Sequence, residues 1–155
     1  MLVQEGSLDG TGLRIAIIQS SFNQMITDTL RRGAVEGLVQ NEVLDDFIEV
    51  YIVPGALEVP LVLKKIAESN LFDGAVCVGA VIKGDTAHFD VVVNESASGI
   101  TEVSLQNNFP VGNGILTTVN LEQAMDRAGG KAGNKGTEAA HALLSTINLL
   151  KIIGG

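Results

Sequence analysis

The chain has 155 residues, 46% apolar and only 18% charged. That length suits one domain, and the apolar excess points to surface buried between subunits. A net charge of -8 excludes general nucleic-acid binding, which needs a basic face. The single cysteine, Cys77, excludes an internal disulfide or a cysteine-based metal site and reads as a small buried apolar residue.

The opening MLVQEGSLDG has no basic region followed by an apolar core, so no signal peptide is visible. Residues 1–12 contain Gly6, Gly10 and Gly12 and read as an arm available to a neighbouring subunit's sheet, with residues 13–155 as the single domain. Residues 13–19 (LRIAIIQ) predict a buried strand. Residues 24–40 predict a helix with an apolar stripe through Leu30, Ala34 and Leu38. Gly33 and Gly37 share one face of it and lower its propensity, so close packing against a neighbour is expected. Residues 47–53 predict a second strand, and Pro60 suits the first turn of a helix running to about residue 70. Residues 74–82 predict a third strand. Its apolar run, 75–82, is far too short to cross a bilayer, which with the missing leader favours the cytoplasm and no membrane partner. Residues 89–107 predict a third helix and 111–117 a fourth strand. Residues 121–128 predict a short helix closed by Gly129-Gly130, and 137–153 the last helix.

Strands and helices therefore alternate. Nearly continuous apolar strands predict an α/β, doubly wound, flavodoxin-like layer with a four-stranded parallel sheet and helices on both faces. Right-handed crossovers favour the order 2-1-3-4. Ligands of such sheets gather beyond the carboxyl ends of the strands, which directs attention to SSFN (20–23), VPGALE (53–58), VIKGDTAH (81–88) and TTVN (117–120).

Each segment has a structural and a functional reading. Asp85 or Thr86 can cap the third helix, or its free N–H groups can bind a phosphate or carboxylate. His88 falls in the first turn, where it is either a partly exposed histidine or a base. Glu58 either complements a helix N-terminus or accepts hydrogen bonds from a ligand. Phe22 is core, or it stacks on a flat ring; Asn23 caps helix one, or touches ligand. Arg127 and the NKG segment (134–136) can bind phosphate, and Arg127 can equally complement a helix C-terminus. His141, within the last helix, reads as structural or interfacial. No Gly-x-Gly-x-x-Gly and no P-loop is present, and no histidine pair has metal-ligand spacing.

Taken in order, SSFN, VPGALEVP, GAVIKGDTAHFD, PVGNGILTT, EQAMDRAG and GNKGTEAA resemble the lumazine synthase family over nearly the whole chain. The resemblance implies condensation of 5-amino-6-ribitylaminouracil with 3,4-dihydroxy-2-butanone 4-phosphate to give 6,7-dimethyl-8-ribityllumazine, without organic cofactor or metal. It implies Phe22 stacking on the pyrimidine, and Ala56, Leu57 and Glu58 at the ribityl chain and ring edge. It places the backbone of Ala80, Val81 and Ile82 at the ring, and Asp85 and Thr86 at the phosphate. Arg127 comes to that phosphate from a neighbouring subunit, with Lys135 supporting it, and His88 transfers protons. Asn113 stands where many members have phenylalanine, so it would reach the ring by hydrogen bonding instead. Lys83, Ala87 and Val91 replace a frequent arginine, proline and tyrosine. The resemblance further implies a homo-pentamer with the active site between adjacent subunits. The short RAGGKAGNKG segment implies an icosahedral shell of pentamers, with riboflavin synthase as a candidate enclosed partner. The alternatives are a non-catalytic flavin-binding or shell-forming protein of the same fold, and an unrelated phosphosugar-binding protein on a similar sheet.

Overall fold

The computed structural model describes residues 1–84 and 87–154. The elements run β1 (Ile15–Ser20), α1 (Gln24–Val39), β2 (Ile48–Val53), α2 (Val59–Ser69), β3 (Gly74–Ile82), α3 (His88–Asn107), β4 (Val111–Thr118), α4 (Leu121–Arg127), β5 (Ala128–Gly130), β6 (Gly133–Asn134) and α5 (Lys135–Gly154). Short 3-10 turns precede β2 at Asp45–Phe47 and α2 at Ala56–Glu58. The main sheet is parallel with strand order β2-β1-β3-β4, as the alternation of elements predicts.

Every residue of β1 is buried, as are the first seven of β3. Side chains alternate across the sheet, so each strand serves two cores. Ile15, Ile17, Val76, Val78 and Ala80 pack with α1, α4 and α5. Ala16, Ile18, Ala75 and Cys77 pack with α2 and α3. The outer strands depart from the expectation of continuous burial. In β2, Val50 and Ile52 are exposed, and β4 alternates along its length. Both are edge strands; in β2 the exposed residues include the apolar Val50 and Ile52, whereas in β4 they are Asn113 and Thr117.

Helix ends follow local chemistry. The Asn120 Oδ1 accepts from Gln123 N at 2.8 Å, and the Gln123 Oε1 accepts from Val119 N at 3.2 Å, so α4 is capped reciprocally. Asn70 and Asn108 close α2 and α3 in the left-handed conformation, which asparagine tolerates. The last helix begins at Lys135, earlier than the sequence suggests, because residues 128–134 form a small antiparallel hairpin that delivers the chain directly into it. Helix α1 packs on α5 through the expected glycine face. A Cβ on Gly37 would lie 3.2 Å from the Ala140 Cβ, and one on Gly136 would lie 2.0 Å from the Leu30 carbonyl oxygen.

The arm, residues 1–12, lies along α5. Asn148 Nδ2 donates to the carbonyls of Ser7 and Asp9 at 2.8 and 2.9 Å, and Gly10 N donates to Asn41 O at 2.7 Å. Met1, Leu2 and Val3 are exposed. No helix among the described residues is long and apolar enough to cross a membrane.

Cys77 is fully buried in β3, and burial pushes its thiol up to about 12. A thiol held neutral and enclosed is a poor nucleophile. The folded protein should therefore leave an aromatic disulfide reagent unreacted at neutral pH and consume one equivalent on denaturation; rapid labelling of the native state would contradict this placement.

Candidate active site

The carboxyl ends of β1, β2 and β3 open into a cavity of about 450 Å³. Phe22, Ala56, Leu57, Glu58, Ala80, Val81, Ile82 and His88 all line it. Three loops that are far apart in sequence thus converge on one rim, where doubly wound sheets hold their ligands.

The loop after β1 is stitched to both neighbours. Ser21 N donates to Val53 O at 2.8 Å and Phe22 N to Pro54 O at 3.1 Å, which ties it to β2. On the other side the Asn23 Nδ2 donates to Ala80 O at 3.2 Å, which ties it to β3. Asn23 occupies the helix-cap position in a left-handed conformation (φ 60°, ψ 50°), but its side chain makes no capping bond. Its backbone carbonyl receives Ile26 N and Thr27 N instead. The capping reading of Asn23 therefore fails: its side chain does not cap α1. It holds a β3 carbonyl at the cavity wall.

Behind this loop lies a polar cluster that only one letter of the sequence signals, the glutamine ending an apolar strand. Gln19 is fully buried. Its Nε2 donates to Thr27 Oγ1 at 3.1 Å and Asp28 Oδ1 at 2.8 Å, and its Oε1 accepts from Arg31 at 2.9 Å. Arg31 also stands 3.4 Å from Asp28. With its hydrogen-bonding groups satisfied, this buried amide fixes the start of α1 against β1 and so orients the loop that carries Phe22.

Phe22 is 72% exposed, which removes the core reading. Phe89, next to His88 in the chain, adds a second aromatic to the cavity lining, and the sequence gives it no role beyond the start of a helix. Glu58 is exposed at the end of its 3-10 turn, and its Oε2 accepts from Gly55 N at 3.1 Å. A carboxylate offers about four lone-pair sites, so the contact at the turn leaves accepting capacity for a ligand. The structural and functional readings of Glu58 are compatible. His88 is the first residue of α3, with Ala87 at the cap position. Asp85 and Thr86, the expected phosphate contacts, lie outside the described residues.

Arg127 and Lys135 line a separate cavity of about 360 Å³ against β4, with Thr117, Thr118 and Glu138. One Arg127 N–H donates to the Gln123 carbonyl at 3.1 Å, so it does complement its own helix end. The guanidinium has five donors, and this bond leaves the others. Lys131 is drawn aside to Asp126 at 3.7 Å. Among the described residues, none lines both cavities. Asn113 lines neither; its Oδ1 accepts from Ile115 N at 3.0 Å on the exposed face of edge strand β4. His141 lies half-buried in α5 and lines neither cavity. A further cleft of about 600 Å³ between α1 and α4 is larger than either. Among the described residues, no ionisable side chain lines it.

The exposure of Phe22 has a measurable consequence. Phe22→Ala should change unfolding free energy by no more than about 0.5 kcal/mol, as for a surface substitution. Leu30→Ala, at a fully buried position, should cost about 2–5 kcal/mol. Urea melts of the two variants would check this, and a large loss in the first would return Phe22 to the core.

These residues fall within a known pattern. The family model described as 6,7-dimethyl-8-ribityllumazine synthase matches residues 12–151.

Proposed function

Because the chain belongs to the 6,7-dimethyl-8-ribityllumazine synthase family, we propose that it condenses 5-amino-6-ribitylaminouracil with 3,4-dihydroxy-2-butanone 4-phosphate in riboflavin biosynthesis. The observation that carries this reading is the single cavity holding Phe22, Glu58, the 80–82 backbone and His88. It offers a flat exposed ring, an acceptor, backbone polar groups and an imidazole within one enclosure.

The 5-amine attacks the ketone, and the resulting carbinolamine loses water to give an imine. Elimination then breaks the C–O bond to phosphate, and the second amine closes the ring with loss of another water. One pyrimidine and one butanone phosphate thus yield one lumazine, one phosphate and two waters. Every step moves protons and none moves electrons to an acceptor, so the scheme draws on no organic cofactor or metal. His88 is the proton carrier between the nitrogen and oxygen centres, a role for which imidazole is the common choice. Phe22 stacks on the pyrimidine, and Glu58 receives ribityl hydroxyls alongside Ala56 and Leu57. The backbone of Ala80, Val81 and Ile82 meets the ring edge. Asn23 supports that backbone through the Ala80 carbonyl. Asp85 and Thr86 are assigned to the phosphate.

Arg127 and Lys135 complete the phosphate site from a neighbouring subunit. Two features support that arrangement: these cations share no cavity with Phe22 and His88 in one chain, and the open β2 edge carries the exposed apolar residues Val50 and Ile52. The exposed start of the arm is available to a neighbour's sheet. The assembly is a homo-pentamer, and the tight hairpin between α4 and α5 favours packing of pentamers into an icosahedral shell. Asn113, whose amide nitrogen remains available to a partner, would meet the ring by hydrogen bonding.

A second reading, a non-catalytic flavin-binding or shell protein, is favoured only by Asn113 standing where a stacking ring is common. Mixing the two substrates separates the readings, since only the enzyme generates the lumazine chromophore. His88→Ala should slow turnover by about a hundredfold or more while a flavin-like ligand still binds; unchanged turnover would remove His88 from the mechanism. Arg127→Ala should chiefly raise the KM for the butanone phosphate, because charge-assisted bonds to phosphate are strong, and a normal KM would take Arg127 out of the site. For the assembly, light scattering at physiological salt should give a mass well above a lone pentamer. A lone pentamer would refute the shell.

A further inference from the structure

Arg127 ends α4 and Lys135 begins α5. What fixes the geometry between these two cations is the hairpin of residues 128–134, and its last residue, Asn134, is bonded in three directions. Its Oδ1 accepts from Gly136 N at 2.8 Å and from Thr137 N at 3.3 Å, capping α5. Its Nδ2 donates to Thr29 O of α1 at 3.1 Å. Its backbone pairs with Ala128 across the hairpin. The neighbouring Thr137 hydroxyl donates to Gly33 O of α1 at 2.8 Å. Helix α1 makes room for this side chain: a Cβ on Gly33 would lie 2.3 Å from the Asn134 Cγ and Oδ1. Asn134 itself lines neither the cavity of Arg127 and Lys135 nor that of His88.

We propose that Asn134 is a positioning residue for anion binding: it clamps the α4–α5 hairpin to α1 and thereby sets where Arg127 and Lys135 stand. An ordinary helix cap needs only the oxygen half of the amide. Here the nitrogen half staples the capped helix to a different element, and the glycine opposite accommodates the staple. The cation whose position this most directly controls is Lys135, the next residue in the chain. Arg127 is fixed through the Ala128 pairing. Phosphate recognition by two cations depends on their spacing, and small displacements of a bound group carry large rate and affinity costs. The inference rests on the functional reading above for its substrate, though not for its anion.

Two variants approach the clamp from opposite sides without adding charge. Asn134→Ser keeps a good cap residue and removes the reach to Thr29. Gly33→Ala leaves Asn134 in place and crowds it from α1. Measured on the intact oligomer, Asn134→Ser should raise the KM for the butanone phosphate and the Kd for inorganic phosphate about tenfold. The KM for the pyrimidine should stay within about twofold, since the pyrimidine does not meet the anion's cations. Gly33→Ala should reproduce the same split. A cap with no positioning role predicts a lower melting temperature with both KM values unchanged, and that result in folded Asn134→Ser of native particle mass would overturn the proposal. So would an equal rise in both KM values. If Gly33→Ala does not fold, Asn134→Ser decides alone. If the wild-type chain makes no lumazine, the functional reading falls and calorimetric titration with inorganic phosphate still judges the clamp. Equal phosphate affinity in wild type and Asn134→Ser, or none in the wild type, contradicts it.

Discussion

Everything at the functional rim depends on β3 being buried on both faces. From Gly74 to Ala80 every residue of that strand is buried. A strand of this kind tolerates no unpaired polar side chain, because burying one without a partner costs several kcal/mol. It requires parallel neighbours and a helical layer on each side. Parallel connection in turn sends every chain segment from a strand's carboxyl end toward a helix start. The beginnings of α1, α2 and α3 are therefore gathered at one edge, and Phe22, Glu58 and His88 come with them. Near that edge the fully buried Gln19 is bonded on both halves of its amide. It serves the same end by fixing α1.

The same constraint leaves the subunit unfinished. A four-stranded sheet with helices above and below has two open edges, and here they carry Val50, Ile52 and the outward side of β4. Burying an exposed valine or isoleucine against a partner contributes roughly 1.5–3 kcal/mol each when fully covered. In the proposed assembly, a few such contacts would bury part of the apolar excess in the composition. The chemistry is divided in the same way. The cavity with the imidazole and the cavity with the cations lie on different parts of one chain, and a reaction on a phosphorylated ketone calls for both. In the proposed assembly, a neighbour would both cover the exposed apolar surface and bring the two half-sites together.

Much of this was legible in the sequence. The order and type of all major elements followed from apolar runs and turn residues, because a doubly wound sheet writes its burial directly into strand composition. Residues 74–82 are the clearest example, since the predicted and observed strand coincide. The strand ends named the residues of the main cavity with few omissions. What could not be read was partnering. Asn23 occupies the cap position as its type suggests, yet its amide bonds to Ala80 across the sheet, and no local pattern encodes a contact between residues that distant in sequence. The exposure of β2 was also missed: the order 2-1-3-4 places it at an edge, but IEVYIV is apolar enough to read as a buried strand. Glycines at 129 and 130 suggested a simple helix stop, whereas they form half of a hairpin whose other half ends in Asn134. The residues at 85 and 86 keep the roles that resemblance gives them and no more.

The central claim is that the imidazole of one subunit and the cations of its neighbour form a single working site. The most direct measurement co-assembles His88→Ala and Arg127→Ala chains from denaturant in equal amounts and records lumazine formation at butanone phosphate concentrations well below the KM of Arg127→Ala. Random placement leaves about a quarter of the sites with an intact His88 facing an intact Arg127 when each site draws on two neighbours. The account predicts recovery of roughly that share of wild-type activity. Activity no greater than the average of the two separately assembled variants would contradict it.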